Sequence, residues 1–205
     1  MRRLHLSNDQ WKNLVSCLLL ACGTALVFLG MRVLFESYFG QTAGARDFAP
    51  APQTQPVSLP LAPRRGDTVA KLSIPRLGAR FYVFEGDDDA ELRRGPGHLA
   101  DSAMPGPRGN CVIAGHRDTH FRVLKDIRKD DDILVQTDTG QYLYRVNSTQ
   151  IVSPSDTRAL KPTRAPVLNL ITCYPFFFVG SAPKRFVVQA RLAGQVEISK
   201  MRNAR

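Results

Sequence analysis

The chain has 205 residues, room for one domain with extras or two small domains. Its 28 Lys and Arg outnumber 18 Asp and Glu, for a formal net charge of +10, which points to nucleic acid, an anionic membrane or an acidic substrate. The basic residues are dispersed, with no zinc-finger spacing and no basic stripe interleaved with aromatics, so the charge argues against a nucleic-acid partner.

The first predicted element is apolar. Between Lys12 and Arg32 lie 19 uncharged residues, NLVSCLLLACGTALVFLGM. As a helix they reach about 28 Å, close to the ~30 Å hydrocarbon core of a bilayer. Arg2, Arg3 and Lys12 precede the run against the single acid Asp9. The positive-inside rule then puts residues 1–12 in the cytoplasm, residues 13–39 in an anchor and stem, and the rest outside the cytoplasmic membrane. A cleaved signal peptide has a shorter apolar core, ~7–15 residues. Leu19-Leu20-Ala21-Cys22-Gly23 loosely fits a lipid-attachment box, which leaves lipidation of Cys22 open. The run continues past Cys22 through Phe28, Leu29 and Met31, as an uncleaved anchor requires and a lipid box does not.

Residues 40–66 hold five of the 14 prolines, among Ala, Gln, Thr and Ser, and read as a semi-extended linker. From residue 67 onward short apolar runs alternate with turn signals. Val69–Ile74, Ala79–Phe84, Asn110–Ala114, Asp132–Gln136, Gln141–Val146, Val167–Thr172 and Arg185–Leu192 are strand signals, rich in Val, Ile, Tyr and Phe. Helical pattern is confined to short pieces near Asp88–Arg93, Thr119–Ile127 and Ser155–Leu160. So many short strands predict an all-β domain at 67–205, a closed barrel or a sandwich.

Three histidines lie beyond the linker. His98, in GPGHL, reads as a turn residue. His116 and His120 are four apart, a zinc-ligand spacing, but Arg117 stands where zinc peptidases carry glutamate; no metal and no cofactor is expected. Asp118 is a candidate to hold His116 or His120 in one tautomer. Taken alone, His116 is an ordinary strand-edge histidine and Cys173 an ordinary buried thiol. As a set they read differently: His116 ends one strand, Cys173 ends another, and Arg185 opens the next. A thiol needs a neighbouring base or cation to act as thiolate. Acyl transfer also needs donors aimed at the developing oxyanion, and Arg185 and the backbone N–H of Tyr174 are placed in sequence to supply them.

Cys111 is the only other cysteine outside the anchor. On one strand it lies about 16 Å from His116. If Cys173 serves His116, a Cys111–Cys173 disulfide is out of reach, because Cα atoms must come within ~7 Å.

CVIAGHRDTHF and LITCYPFFFVGSAPKRF resemble the sortases, membrane-anchored cysteine transpeptidases, over about residues 67–192, with Asn169 where their strand usually carries threonine. The CYPF and GSAPKR details are most similar to class D and the related enzymes of Gram-negative bacteria. The resemblance implies an eight-stranded closed barrel with His116, Cys173 and Arg185 converging, Thr172 lining the substrate groove, and Phe176–Phe178 as a candidate groove wall. It further implies attack by Cys173 on the Thr–Gly bond of a Leu-Pro-x-Thr-Gly-like sorting signal. His116 would act as acid and base, and the thioacyl group would pass to an amine acceptor in the envelope. An L,D-transpeptidase is disfavoured, since Thr172 rather than glycine precedes Cys173. A non-catalytic membrane-tethered binding barrel and a hydrolytic cysteine peptidase are the alternatives.

Overall fold

The computed structural model describes residues 8–48 and 62–196. The first seven residues of the basic N-terminus, residues 49–61 of the proline-rich linker and the last nine residues of the chain lie outside them.

Helix α1 runs over Asn8–Asp47, about 60 Å at 1.5 Å per residue. It is long and apolar enough to cross a membrane, and its apolar side chains from Leu18 to Phe35 are exposed. The helix does not end at residue 39, where the sequence reading began the linker. No proline occurs before Pro50, and Ala43, Ala45 and Arg46 are good helix formers. The last turns are also held by the domain that follows. Gln41 Nε2 donates to the carbonyls of Tyr82 and Arg94 at 3.1 and 3.0 Å, and its Oε1 accepts from the Tyr82 N–H at 2.7 Å. Gly40 and Gly44 allow this close approach: a Cβ on either would stand 2.6 Å from atoms of Arg94 or Tyr82.

The rest is a closed barrel of eight strands: β1 (Thr68–Ile74), β2 (Ala79–Glu85), β3 (Gly97–His98), β4 (Asn110–Gly115), β5 (Asp132–Gln136), β6 (Gln141–Val152), β7 (Val167–Tyr174) and β8 (Lys184–Val196). A short helix, α2 (Asp89–Arg94), precedes β3. Around the barrel the order is β1-β2-β3-β4-β7-β8-β6-β5, with β5 returning to β1. Only β2–β3 and β4–β7 are parallel pairs. Alternating residues fill the interior, among them Leu72, Val83, Ile113, Ile133, Leu170 and Val188, all fully buried. Each such side chain stabilises the fold by about 1.5–3 kcal/mol.

Two elements differ from the sequence reading. β6 is twice as long as expected, because its pairing with β8 shifts between Val146 and Ser148. That bulge interrupts the two-residue alternation without ending the strand. His98 is not in a turn but in the two-residue β3, and only 2% exposed. Its Nδ1 lies 2.8 Å from Glu85 Oε2, and its Nε2 faces Ala103 O and Ser102 Oγ, each at 3.1 Å. A strand of two residues is too short to show a period.

Candidate active site

Strand register brings three residues into a row. Parallel β4 and β7 pair from Asn110↔Val167 to Gly115↔Thr172, and the next residues along are His116 and Cys173. Antiparallel β7 and β8 set Cys173 opposite Arg185. Directly opposed residues share a sheet face, with Cβ atoms about 4.5–5.5 Å apart, and adjacent strands are about 4.8 Å apart. All three side chains are half-buried at one end of the barrel.

Small features hold this end together. A Cβ on Gly115 would stand 2.6 Å from the Phe121 ring, so glycine lets Phe121, fully buried, close the barrel directly below His116. Thr172 is 2% exposed, and its hydroxyl donates to Gly115 O at 2.7 Å. It ties β7 to β4 and does not line a groove. The Phe121 N–H donates to His116 O at 3.0 Å, folding the chain after His116 into the 3₁₀ turn His120–Asp126.

His120 is buried and joins α1 rather than the row. Its Nε2 meets Ser37 Oγ of α1 at 2.9 Å, its Nδ1 is 3.3 Å from Thr119 Oγ1, and its ring stands edge-on to Phe81. Burial, then the neighbouring His116, lowers its pKa to about 4, so it is neutral near pH 7. Asp118 holds neither histidine: it is exposed, and among the described residues its side chain makes no hydrogen bond to either. Among the described residues, no third His, Cys, Asp or Glu joins the histidines in a metal-binding group.

Arg185 anchors Nη1 on the carbonyls of Lys184 at 3.1 Å and Ala182 at 3.3 Å. Tyr174 closes β7, its ring edge-on to Phe176 and stacked near Phe186. Beyond it, Phe177, Phe178 and Val179 are exposed. Sequence reasoning missed what shapes this connection. Arg117 donates to three of its carbonyls: Pro175 at 3.1 Å, and Phe178 and Gly180 at 2.9 Å each. The only signal was its position after His116. Cys111 and Cys173 are both free thiols; Cys111 is buried in the core, where burial pushes its pKa up.

The family model named "Sortase domain" matches residues 72–193. The chain belongs to the sortase family. Its likeness to class D extends to individual relatives. Sortase D of Bacillus subtilis (strain 168) is 36% identical over 130 residues, covering 63% of this chain and 66% of that one. A Clostridium perfringens Sortase D5 transpeptidase superposes with a TM-score of 0.59 at 31% identity, over 64% of this chain and 82% of that one. SrtD of Bacillus anthracis does so with a TM-score of 0.58 at 33% identity, over 70% and 99%. The chain spans 43% to 66% of the length of the curated relatives it matches. Sortases are cysteine transpeptidases, and this sortase has their closed eight-stranded barrel.

Proposed function

We propose that this sortase is a membrane-anchored transpeptidase with Cys173 as nucleophile, His116 as general acid and base, and Arg185 as the oxyanion donor. The observation that carries the reading is the row His116–Cys173–Arg185 across three adjacent strand ends. Cys173 attacks the Thr–Gly carbonyl of a Leu-Pro-x-Thr-Gly-like signal, forming a tetrahedral intermediate whose negative oxygen faces the Arg185 guanidinium. His116 gives a proton to the leaving glycine amine and later takes one from the acceptor amine, which displaces Cys173 and forms the new amide. The neutral His120 cannot supply that proton near pH 7, which leaves His116 as the imidazole for the task. Helix α1 is the membrane anchor, with its N-terminus in the cytoplasm and the barrel outside. The acceptor is an amine of the cell envelope.

The test uses the full chain in detergent with a fluorogenic peptide carrying the signal and an added amine. A peptide–enzyme thioester should be trapped on Cys173, followed by an amide product with the amine. Cys173→Ala should give neither, and His116→Ala should lose about 10²–10⁴-fold. Cleavage retained in Cys173→Ala overturns the assignment. Hydrolysed product alone, at saturating amine, assigns a peptidase instead.

A further inference from the structure

The docking of α1 on the barrel gives the active site a direction relative to the bilayer. The uncharged stretch of α1 ends at Arg32. One turn later Glu36 pairs with Arg32 at 2.9 Å and with Arg93 of the domain at 3.1 Å. Ser37 meets His120, whose ring packs against Phe81; then Gln41 meets Tyr82, and a Cβ on Gly44 would lie 2.6 Å from Tyr82 and 3.3 Å from the Phe84 ring. Moving away from the anchor along α1, the contacts pass from His120 at Ser37, which carries Phe81 against its ring, to Tyr82 at Gln41, Gly44 and Phe48, with the Phe84 ring beside Gly44. β2 therefore runs outward with the helix.

The other strand directions follow. β3 is parallel to β2 and antiparallel to β4, while β7 is parallel to β4. β4 and β7 thus run back toward the anchor, and His116, Cys173 and the β7–β8 connection emerge at the anchor-facing end. Ser37 lies five residues past Arg32, about 7.5 Å of helix rise. That is about the depth of one headgroup layer.

At this end stands the largest run of uncovered apolar side chains in the described part of the barrel: Phe177 at 71% exposure, Phe178 at 47% and Val179 at 99%. Cations frame it. The Arg122 guanidinium is 5.2 Å from the Phe177 ring centroid, that of Arg117 is 5.7 Å from the Phe178 ring, and Lys184, opposite Tyr174 at the start of β8, is exposed. Aromatics flanked by arginine and lysine are the composition of an interfacial membrane contact, with rings at headgroup level and charges on anionic phosphates. A loop entering that layer must also satisfy its own carbonyls, and Arg117 already holds those of Pro175, Phe178 and Gly180.

We propose that the Phe177–Val179 tip seats in the interface of the same bilayer that α1 crosses, so that the barrel rests on the membrane with its active-site end down. The proposal rests on the reading of α1 as a membrane span. Its ligand is a phospholipid surface with anionic headgroups. The arrangement delivers Cys173 to polypeptide leaving the membrane and restricts productive substrates to those presented close to the lipid.

The test places an indole at the tip. Trp11 is the sole tryptophan, so Trp11→Phe with Val179→Trp gives a single probe at a site where the fold carries no packing. Thr163→Trp in the same background is the control. It is exposed in the connection leading to Val167, at the far end of the barrel. The full chain is reconstituted in phosphatidylglycerol-containing nanodiscs with and without acyl-chain-brominated lipid. The expected result is a blue-shifted emission from the Val179→Trp probe that loses most of its intensity to brominated lipid, with the Thr163→Trp probe unaffected. A chain that fails to stay with the discs refutes the anchor reading itself. A chain that stays while the tip probe emits as in water, unquenched, overturns the tip proposal alone. So does a tip probe that responds to soluble sorting-signal peptide and not to lipid.

Discussion

Cys173 and Arg185 stand directly opposite each other on β7 and β8, so the guanidinium is fixed to the thiol's neighbourhood by the sheet itself, not by a loop. Its Nη1 is braced on the Lys184 and Ala182 carbonyls, which leaves the other edge of the planar fork for an oxyanion. Lysine keeps the charge but has no fork to divide between brace and substrate. Arg185→Lys should therefore lower kcat by about 10²–10³-fold, the usual cost of an oxyanion donor. Peptide-cleavage kinetics with a circular-dichroism check of the fold measure it. Wild-type kcat in the variant would remove Arg185 from the mechanism.

Arg117 acts on the site at one remove. Its hydrogen bonds to Pro175, Phe178 and Gly180 shape the connection that begins immediately after Cys173 and Tyr174. Arg117→Ala leaves those carbonyls to solvent and frees the loop, while the core is untouched. The expected outcome is a KM for signal peptide raised several-fold, with kcat and the Tm little changed. A purely structural role would move the Tm instead, and Arg117→Lys should restore the KM only in part.

The fold was legible wherever a strand was long enough to show its period. β1, β2, β4, β5 and β7 coincide with apolar runs bounded by Pro, Gly or charged turns, while β8 starts one residue before its run and continues four residues past Leu192. What the sequence hid was made by tertiary contact. His98 reads as a turn residue because its burial depends on Glu85, 13 residues upstream. The last turns of α1, over residues 40–47, are further held by Tyr82 and Arg94, far along the chain. His116, Cys173 and Arg185 were readable as a set because each sits at a strand terminus, where local pattern is sharp. Arg117 was not, since its three partners lie some 60 residues away on an irregular loop, and no spacing rule connects them.

His120 gives a pH dependence with a definite sign. Its folded pKa is about 4, below its ordinary 6.5, because burial disfavours the cation and His116 adds to the effect. Between those values the unfolded chain binds a proton that the folded chain does not, so stability rises with pH across that window. The contribution is fully present above pH 6.5 and lost as the pH falls through 4. His120→Asn keeps a polar group near Ser37 but cannot titrate. The difference in Tm between wild type and variant, followed from pH 7.5 down to 4, should change in the variant's favour on acidification. A difference that stays flat would mean that His120 is accessible to protons in the folded protein.

The two thiols outside α1 separate the catalytic from the structural reading of Cys173. Cys111 pairs in register with Leu168, and Cys173 lies five residues further along the same strand, about 16 Å away at 3.3 Å per residue. A disulfide needs Cα atoms within about 7 Å, so no local adjustment joins them. Cys111 is 1% exposed, with its thiol pushed up by burial and then by Glu85, whereas Cys173 is half-buried at the barrel end beside an arginine. Iodoacetamide applied to the native chain at neutral pH should therefore modify Cys173 with loss of activity and leave Cys111 intact until the protein is denatured. Peptide mapping without reduction reads both at once. Equal labelling of the two thiols in the folded protein, or a crosslinked Cys111–Cys173 peptide, would show that β4 and β7 are not paired in this register, and with them would go the row that places Cys173 beside His116.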